Sequence, residues 1–282
     1  MYRDYKDKVQ FFYVYKSVEH PEVNGFVSAF NIDERLKHIA VAKDRFKSEI
    51  PWICDSMEND VKYAFGRAPN GEFIIDPEGK IVTKRFWSNP KTLRGDLEKL
   101  VGKSETTTKV EDLPARFTPK PRKIASGVVP RPDLPGGLAP MIVSPEKSDD
   151  PFFAKLRVEV SQQMIQSKKG EIHFGVYLDP LYKVHWNNRA GKVKVKLISD
   201  ETLDFESTEL TSPDVKEDAD IDSRHFLVPA TANVDKQAPN PIKLELTYTV
   251  CDDAETFCKE VTQTYRVTFE RHPDLGLSLI HI

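Results

Sequence analysis

The sequence predicts a multidomain protein in which an α/β domain is followed by an all-β sandwich. Its 282 residues exceed the length of one ordinary domain. Nine of the 20 prolines fall in residues 103–151, a stretch with no sustained hydrophobic period. Since proline favours extended backbone, we expect a semi-rigid linker there. Strand and helix signals alternate over residues 1–102, whereas residues 152–276 carry strand signals alone.

The first half predicts the element order β-α-β-α-β-β-α. An aromatic and β-branched run at residues 9–15 is typical of a buried strand. The helix that follows, over residues 32–48, has apolar side chains at helical spacing at Ile32, Leu36, Ile39 and Phe46. These side chains are expected to form its buried face.

Further strands and helices complete this half. We expect a strand at residues 50–54, a helix at 57–65 capped by Asp55 or Ser56, and two strands joined by a turn at 76–79. The last helix is capped by Asn89, begins at Pro90 and ends before Gly102. Its expected buried residues are Leu93, Leu97 and Leu100.

After the linker, strands are predicted at about residues 153–160, 171–178, 192–198, 223–228, 242–250 and 259–269. Short strands separated by turn-rich stretches are typical of a β-sandwich. The final residues, 277–282, match a translated sequencing-library adapter. We interpret them as an artefact and exclude them from the fold.

Composition excludes several classes of protein. With 41 basic and 44 acidic side chains and a net charge of −3, the chain lacks the charge pattern of a nucleic-acid binder. No apolar run is long enough to span a membrane, and the first residues lack the apolar core of a signal peptide. A zinc site is not expected, because His173, His185 and His225 show no motif spacing. No cofactor is expected.

Residues 67–82, RAPNGEFIIDPEGKIV, resemble the second half of a redoxin, a member of the thioredoxin-like group. In that group a proline, often cis, precedes a strand ending in Asp, a Gly turn and a second strand. Upstream, VYKSVEHPEVNGF, DERLKHIAVAKDRF and PWICDSMENDVKYAFGRAP resemble the iodothyronine deiodinase branch. The resemblance covers about residues 1–102 and implies a thioredoxin-like fold.

The resemblance also assigns roles to residues. It implies that Pro69 faces the nucleophile and shapes a partner groove, and that His20 handles a substrate phenol. The alternatives are a structural proline and a loop histidine. Cys54 lies at a strand end, where the family does not place its nucleophile, so we expect a buried, inert thiol.

The family's nucleophilic cysteine or selenocysteine begins a helix, where the dipole and unpaired amides stabilise a thiolate. Only MYRDYKDK precedes Val9, and these residues resemble the tail of that helix. We therefore expect the domain to be truncated at its N-terminus, without the nucleophile strand and helix.

Cys251 and Cys258 are predicted to meet across a hairpin. The core faces of its strands are predicted to carry Leu244, Leu246, Tyr248 and Val250, and Val261, Tyr265, Val267 and Phe269. Both cysteines have the opposite parity, so they point away from the core at the ends of an acidic turn that would leave them accessible. A disulfide closing so short a loop contributes only about 2 to 3 kcal/mol of stability, which leaves redox use open.

The hairpin, TYTVCDDAETFCKE, resembles the N-terminal domain of the bacterial thiol-disulfide interchange protein DsbD. That domain is an immunoglobulin-like sandwich with two redox cysteines in a Cys-Ala-Asp-x-x-x-Cys hairpin. Here six residues separate the cysteines rather than five, and Lys259-Glu260-Val261 replaces Tyr-Pro-Pro. The resemblance implies a disulfide in an oxidising, periplasmic or extracytoplasmic compartment.

Two classes of function compete. The first is a redoxin-type thiol-disulfide oxidoreductase that acts on thiol or disulfide protein partners outside the cytoplasm and lacks its nucleophile segment here. The second is a non-catalytic binding or scaffold protein. A narrower enzyme hypothesis, a deiodinase-like reductive dehalogenase when full length, depends on His20 and the flanking motifs.

Overall fold

A computed structural model describes residues 1–18, 21–22, 25–114, 118, 120–198, 203–233 and 241–275. They fall into two compact units. Unit 1 comprises Met1–Ser17 and Asn31–Pro121, and unit 2 comprises Val18–Phe30 and the chain from Arg122 onward. The protein is thus multidomain and β-rich. No described helix combines the length and hydropathy needed to cross a lipid bilayer.

Unit 1 has the predicted order of elements, preceded by one short helix. Its elements are α1 (Tyr2–Tyr5), β1 (Tyr13–Tyr15), α2 (Ile32–Phe46), β2 (Trp52–Cys54), α3 (Asp60–Phe65), β3 (Glu72–Ile75), β4 (Ile81–Arg85), α4 (Pro90–Val101) and a 3-10 turn at Val110–Asp112. β1 pairs with β2 in parallel, and β3 pairs with β4 antiparallel. These are separate two-stranded sheets. The described residues therefore do not show the single sheet of a thioredoxin-like domain.

Helix α2 does not bury the face that its apolar spacing predicts. Ile39 is buried, but Leu36 is 50% exposed and Phe46 is 46% exposed. Arg35 is buried instead. It donates hydrogen bonds to the Asp55 carbonyl oxygen at 3.2 Å, to the Ser56 carbonyl oxygen and to Asn59 Oδ1. These bonds anchor the polar face of α2 to the segment after β2.

Local sequence signals predict the ends of helix α4 correctly but not which of its residues are buried. In α4, Asn89 accepts hydrogen bonds from two backbone amides, Pro90 begins the helix and Gly102 ends it, all as predicted. Leu97 is buried, but Leu100 is 54% exposed, which corrects the predicted stripe. Helix α3 starts later than predicted, yet the Asp55 carboxylate still accepts from two amides of its first turn.

Unit 2 contains the remaining strands. They are β5 (Ala139–Pro145), β6 (Ala154–Val160), β7 (Lys169–Leu178), β8 (Val184–Asn187), β9 (Lys194–Ile198), β10 (Leu203–Phe205), β11 (Glu209–Thr211), β12 (Ala219–Asp220), β13 (Arg224–Ala232), β14 (Ile242–Asp252) and β15 (Cys258–Arg271), with helix α5 (Gln162–Ser167) and a 3-10 turn at Pro180–Tyr182. Each of the six predicted strands overlaps one of these.

The strands of unit 2 form one large sheet that encloses a single core. The hydrogen-bonded order is β10-β13-β7-β6-β5-β15-β14-β8-β12, and β9 pairs with both β14 and β11. Strand β5 links the two halves, because it pairs first with β6 and then with β15. Apolar side chains from both halves form one buried cluster. β5 lies within the stretch predicted to be a linker, and Leu138 before it is fully buried.

Candidate redox site

The hairpin of β14 and β15 brings the two predicted redox residues together. Cys251 and Cys258 are directly paired in the strand register, their Cα atoms are 4.0 Å apart, and their sulfurs form a disulfide. The strand faces follow the predicted parity, since Leu244, Leu246, Val250, Tyr265 and Val267 are fully buried in the core. The cysteines project from the opposite face of the sheet.

The two cysteines differ in exposure. Cys258 is exposed at the first position of β15, directly after the turn of the hairpin. Cys251 is only 6% exposed, because its strand has a neighbour on each side and His185 on β8 lies directly opposite it. The sequence predicted an accessible pair, whereas in the structure only Cys258 is accessible. An incoming thiolate would therefore reach Cys258 first.

Asn187, at the end of β8, contacts both sulfurs. Its side-chain Nδ2 donates a hydrogen bond to Cys251 Sγ at 3.4 Å and lies 3.9 Å from Cys258 Sγ. Its Oδ1 accepts from the Ala190 amide at 3.1 Å. The sequence analysis did not select this residue, because it predicted no strand at residues 184–187 and local periodicity does not show which strands pair.

The acidic turn of the hairpin is held by its own carboxylates. The Asp252 carboxylate accepts from the Phe257 amide at 2.9 Å and from the Thr256 amide at 2.6 Å. These hydrogen bonds lower the pKa of Asp252. These hydrogen bonds hold the turn that leads into Cys258 in one conformation.

Asp253 connects the turn to β8 and to Arg122, the residue at which the chain returns to unit 2. Arg122 Nε donates to Asp253 Oδ2 at 2.7 Å, and His185 Nδ1 lies 3.3 Å from Asp253 Oδ1. Burial acts to raise the pKa of Asp253, but hydrogen bonds from Arg122 and His185 outweigh it and lower that pKa. The ionised carboxylate of Asp253 therefore lies beside His185, the residue that pairs with Cys251 on β8.

A cleft of about 280 Å³ lies along the same face of β14 and β15. Its lining residues are Ala190, Gly191, Lys192, Lys194, Thr247, Tyr248, Thr249 and Glu260. Thr249 and Glu260 are a directly paired couple on the hairpin, two residues from the cysteines.

Of the other predicted site residues, Cys54 and Pro69 lie in unit 1. Cys54 is partly buried at the end of β2, and burial raises the pKa of its thiol, which opposes use as a nucleophile. Pro69 is exposed in a turn, and no described residue follows a cis peptide bond. His20 lies outside the described residues. Its proposed role, and the groove role of Pro69, stay predictions.

A second polar cluster crosses β6, β7 and β13 on the outer face of that half of the sheet. His173 Nδ1 lies 3.0 Å from Glu159 Oε2, His173 Nε2 lies 3.0 Å from His225 Nδ1, and His225 Nε2 lies 2.7 Å from Ser223 Oγ. Glu159 and His173 are fully buried. Sequence reasoning weighed these histidines only as zinc ligands.

The charge on Glu159 determines the direction of its hydrogen bond with His173. Burial acts to raise the pKa of Glu159, but hydrogen bonds from His173 and Arg157 outweigh it and lower that pKa. A carboxylate only accepts, so His173 donates from Nδ1 to Glu159. The directions of the other two hydrogen bonds depend on the tautomers of His173 and His225.

This relay has the order of a serine, a base and an acid. However, the amides of Gly127, Val128 and Val129, which lie beside Ser223, all donate to the Asp222 carboxylate. They are therefore not free to stabilise an oxyanion. Arg157 extends the relay by bridging Glu159 and Glu22. We interpret the whole cluster as a structural network that satisfies buried polar groups.

In the part of the chain that the structure describes, no group of three or more His, Cys, Asp or Glu side chains is arranged to hold a metal ion. No family model matches the chain, and no curated protein is similar to it in sequence. A solved structure that matches is the crystal structure of a FixG-related protein from Vibrio parahaemolyticus, at 9% identity and a TM-score of 0.21, over 42% of this chain and 98% of that chain. Similarity at this level does not bear on function.

Proposed function

We propose that this protein is an extracytoplasmic thiol-disulfide oxidoreductase whose redox centre is the Cys251–Cys258 pair. The observation that carries the proposal is the asymmetry of the pair, with one exposed and one buried sulfur at the end of a well-anchored hairpin. Enzymes that exchange disulfides need one sulfur that a partner can reach and one that can leave. The DsbD-like sequence of the hairpin supports the same role, and an oxidising compartment suits a disulfide.

The exchange proceeds by two displacements. A partner thiolate attacks Cys258 Sγ, the bond between the two sulfurs breaks, and its electron pair leaves on Cys251 as a thiolate. A second thiol of the partner then attacks the mixed disulfide and releases Cys258. The partner loses two electrons and becomes a disulfide, while this protein gains them as two thiols. The reverse sequence reduces a partner disulfide.

In this proposal unit 1 is a thioredoxin-like domain of redoxin type, which its motifs and its order of elements support. Unit 2 is an immunoglobulin-like sandwich. The competing proposal is a scaffold without redox activity, and the raised pKa of Cys54, the sole cysteine before the hairpin, favours it for unit 1. Deiodinase-like chemistry would further require His20 and a nucleophile other than Cys54, because the raised pKa of that thiol opposes this use.

The test is the reduction potential of the pair in the full chain, measured by equilibration with reduced and oxidised glutathione. We expect a value above about −300 mV, since structural disulfides lie below that limit. Trapping separates the two sulfurs. The Cys251→Ser variant, which keeps Cys258, should form a mixed disulfide with oxidised glutathione much faster than Cys258→Ser does. A potential below the limit, or equal trapping by both variants, would reject the redox role.

A further inference from the structure

Opening of the disulfide is unfavourable at Cys251 because its sulfur is buried. The leaving sulfur becomes an anion at a position that is 6% exposed, and burial disfavours the charged form of a thiol. A hydrogen-bond donor directed at the sulfur would offset this penalty. Such donors are more effective toward an ionised acceptor than toward a neutral one.

We propose that Asn187 is a positioning residue of the redox pair, whose side-chain amide stabilises the thiolate of Cys251 once the disulfide is reduced. The proposal rests on the redox role of the pair proposed above. Asn187 Nδ2 is 3.4 Å from Cys251 Sγ and 3.9 Å from Cys258 Sγ, so one amide group serves both sulfurs and is nearer to the buried one.

The orientation of the amide is determined by a second contact. The backbone amide of Ala190 can only donate, and it lies 3.1 Å from Asn187 Oδ1. The oxygen must therefore face Ala190, which leaves Nδ2 and its two hydrogens toward the sulfurs. A flipped amide would place two donors against each other at Ala190.

The backbone of Asn187 is also held in place. Asn187 pairs with Ala219 on β12, and its neighbour Trp186 pairs with Val250 on β14, next to Cys251. Trp186 is 1% exposed and donates from Nε1 to the Asp222 carbonyl oxygen at 2.7 Å. The donor is thus preorganised and does not have to be recruited when the thiolate forms.

Three variants of the full chain test the proposal. Asn187→Asp keeps an acceptor for Ala190 but replaces the donor with a negative charge, and Asn187→Ala removes both groups. Asn188→Ala is the matched control, because that neighbouring amide donates to Glu217 and Asp220 rather than to sulfur. The far-UV circular dichroism spectrum of each variant, compared with that of the wild type, verifies that it is folded.

The measurement is the rate at which Cys251 is alkylated by iodoacetamide as a function of pH, resolved by mass spectrometry after reduction with a phosphine. We expect the pKa of Cys251 to rise by about one unit in Asn187→Ala, a tenfold loss of thiolate at fixed pH, and by more in Asn187→Asp. Asn188→Ala should leave the profile unchanged. Unchanged profiles in both Asn187 variants, or an equal shift in the control, would overturn the role of Asn187.

The two proposals fail separately. A strong phosphine reduces the pair whatever its potential, so the effect of Asn187 on the thiol is measured even if the pair does not exchange with glutathione. In the glutathione equilibrium, Asn187→Asp should shift the balance toward the disulfide, because it destabilises the reduced state. A wild-type pair that exchanges, with Asn187 variants identical to it, would leave the redox role standing and reject the positioning role.

Discussion

Among single residues, two buried titratable groups of unit 2 respond to pH in opposite directions. Burial, followed by the nearby His173 and Arg131, lowers the pKa of His225 to about 4. Burial raises the pKa of Glu22 to about 7, although Arg157 opposes that shift. Each group therefore makes folding stability depend on pH.

The sign differs between the two groups. Between about pH 4 and 6.5 the unfolded chain binds a proton at His225 that the folded chain does not, so stability falls as pH is lowered. Between about pH 4.5 and 7 the folded chain keeps a proton on Glu22 that the unfolded chain has lost, so stability falls as pH is raised. In the overlap the two slopes, about 1.4 kcal/mol per pH unit each, offset one another.

Replacing one of the groups should reveal the other. In Glu22→Gln we expect the free energy of unfolding of unit 2 to rise with pH by about 1.4 kcal/mol per unit, relative to wild type, between about pH 4.5 and 6.5. In His225→Asn the difference should have the opposite slope. Urea unfolding followed by Trp186 fluorescence, in a chain with Trp52 and Trp87 changed to Phe, measures both. Variant curves parallel to the wild-type curve would contradict the assignment.

The disulfide gives a second prediction at this scale. Its cysteines are seven residues apart, so reduction should lower the free energy of unfolding of unit 2 by only about 2 to 3 kcal/mol. The same urea titration with and without reductant measures the difference. A Cys251→Ala, Cys258→Ala chain is the control and should not respond to reductant. Complete unfolding of unit 2 on reduction would mean that the pair is a structural requirement.

At the scale of elements, helix α2 shows that apolar spacing did not determine which face is buried. Its inward residues include Glu34, Arg35 and His38, and His38 Nδ1 lies 2.7 Å from the Tyr15 hydroxyl. Arg35 forms three hydrogen bonds to the segment after β2. Polar partners on a neighbouring segment thus fix the orientation of this helix.

Substitutions on the two faces of α2 should therefore differ. Arg35→Leu removes three hydrogen bonds to that segment and should cost about 2 to 3 kcal/mol in the stability of unit 1. Leu36→Gln, on the exposed face, should change it by less than about 0.5 kcal/mol. Urea unfolding followed by Trp52 fluorescence, in a chain with Trp87 and Trp186 changed to Phe, reports on both. A large cost for Leu36→Gln would show that the apolar face of α2 is covered in the folded protein.

At the scale of the whole molecule, the units do not follow the order of the chain. Val18–Phe30 lies in the first half of the sequence but belongs to unit 2. There the Phe30 ring packs against Phe152 and Tyr265 at centroid distances of 5.4 and 6.0 Å, and Lys155 Nζ lies 4.5 Å from its centroid. Phe30, from this early segment, therefore contributes to the packing of unit 2.

Phe30→Ala should consequently destabilise unit 2, although residue 30 precedes the proline-rich stretch. We expect a loss of about 1 to 2 kcal/mol, because aromatic pairs contribute beyond the area that they bury. Urea unfolding followed by Trp186 fluorescence, in the chain with Trp52 and Trp87 changed to Phe, measures it. Phe86→Ala, whose ring in unit 1 is 72% exposed, serves as control and should have little effect. Equal effects of both substitutions would mean that residues 18–30 do not belong to unit 2.

Local patterns in the sequence were enough to predict the elements. The cap, the first residue and the end of α4 follow from Asn89, Pro90 and Gly102, whose preferences depend on backbone geometry within one turn. The core parity of β14 and β15, and with it the facing of Cys251 and Cys258, follows from strict alternation along each strand. These features need no knowledge of distant parts of the chain.

What covers a face, by contrast, is decided by the tertiary structure. Strand β6 alternates polar and apolar residues, yet all seven are buried, because residues distant in sequence such as Glu22 lie against its polar face. The burial of Cys251 and the contact with Asn187 likewise exist only because β8 pairs beside β14. The sequence by itself determined which residues form the hairpin and pair the cysteines, since periodicity is local. Only the tertiary structure decided which sulfur is exposed and which donor faces it, since both depend on strands brought together from afar.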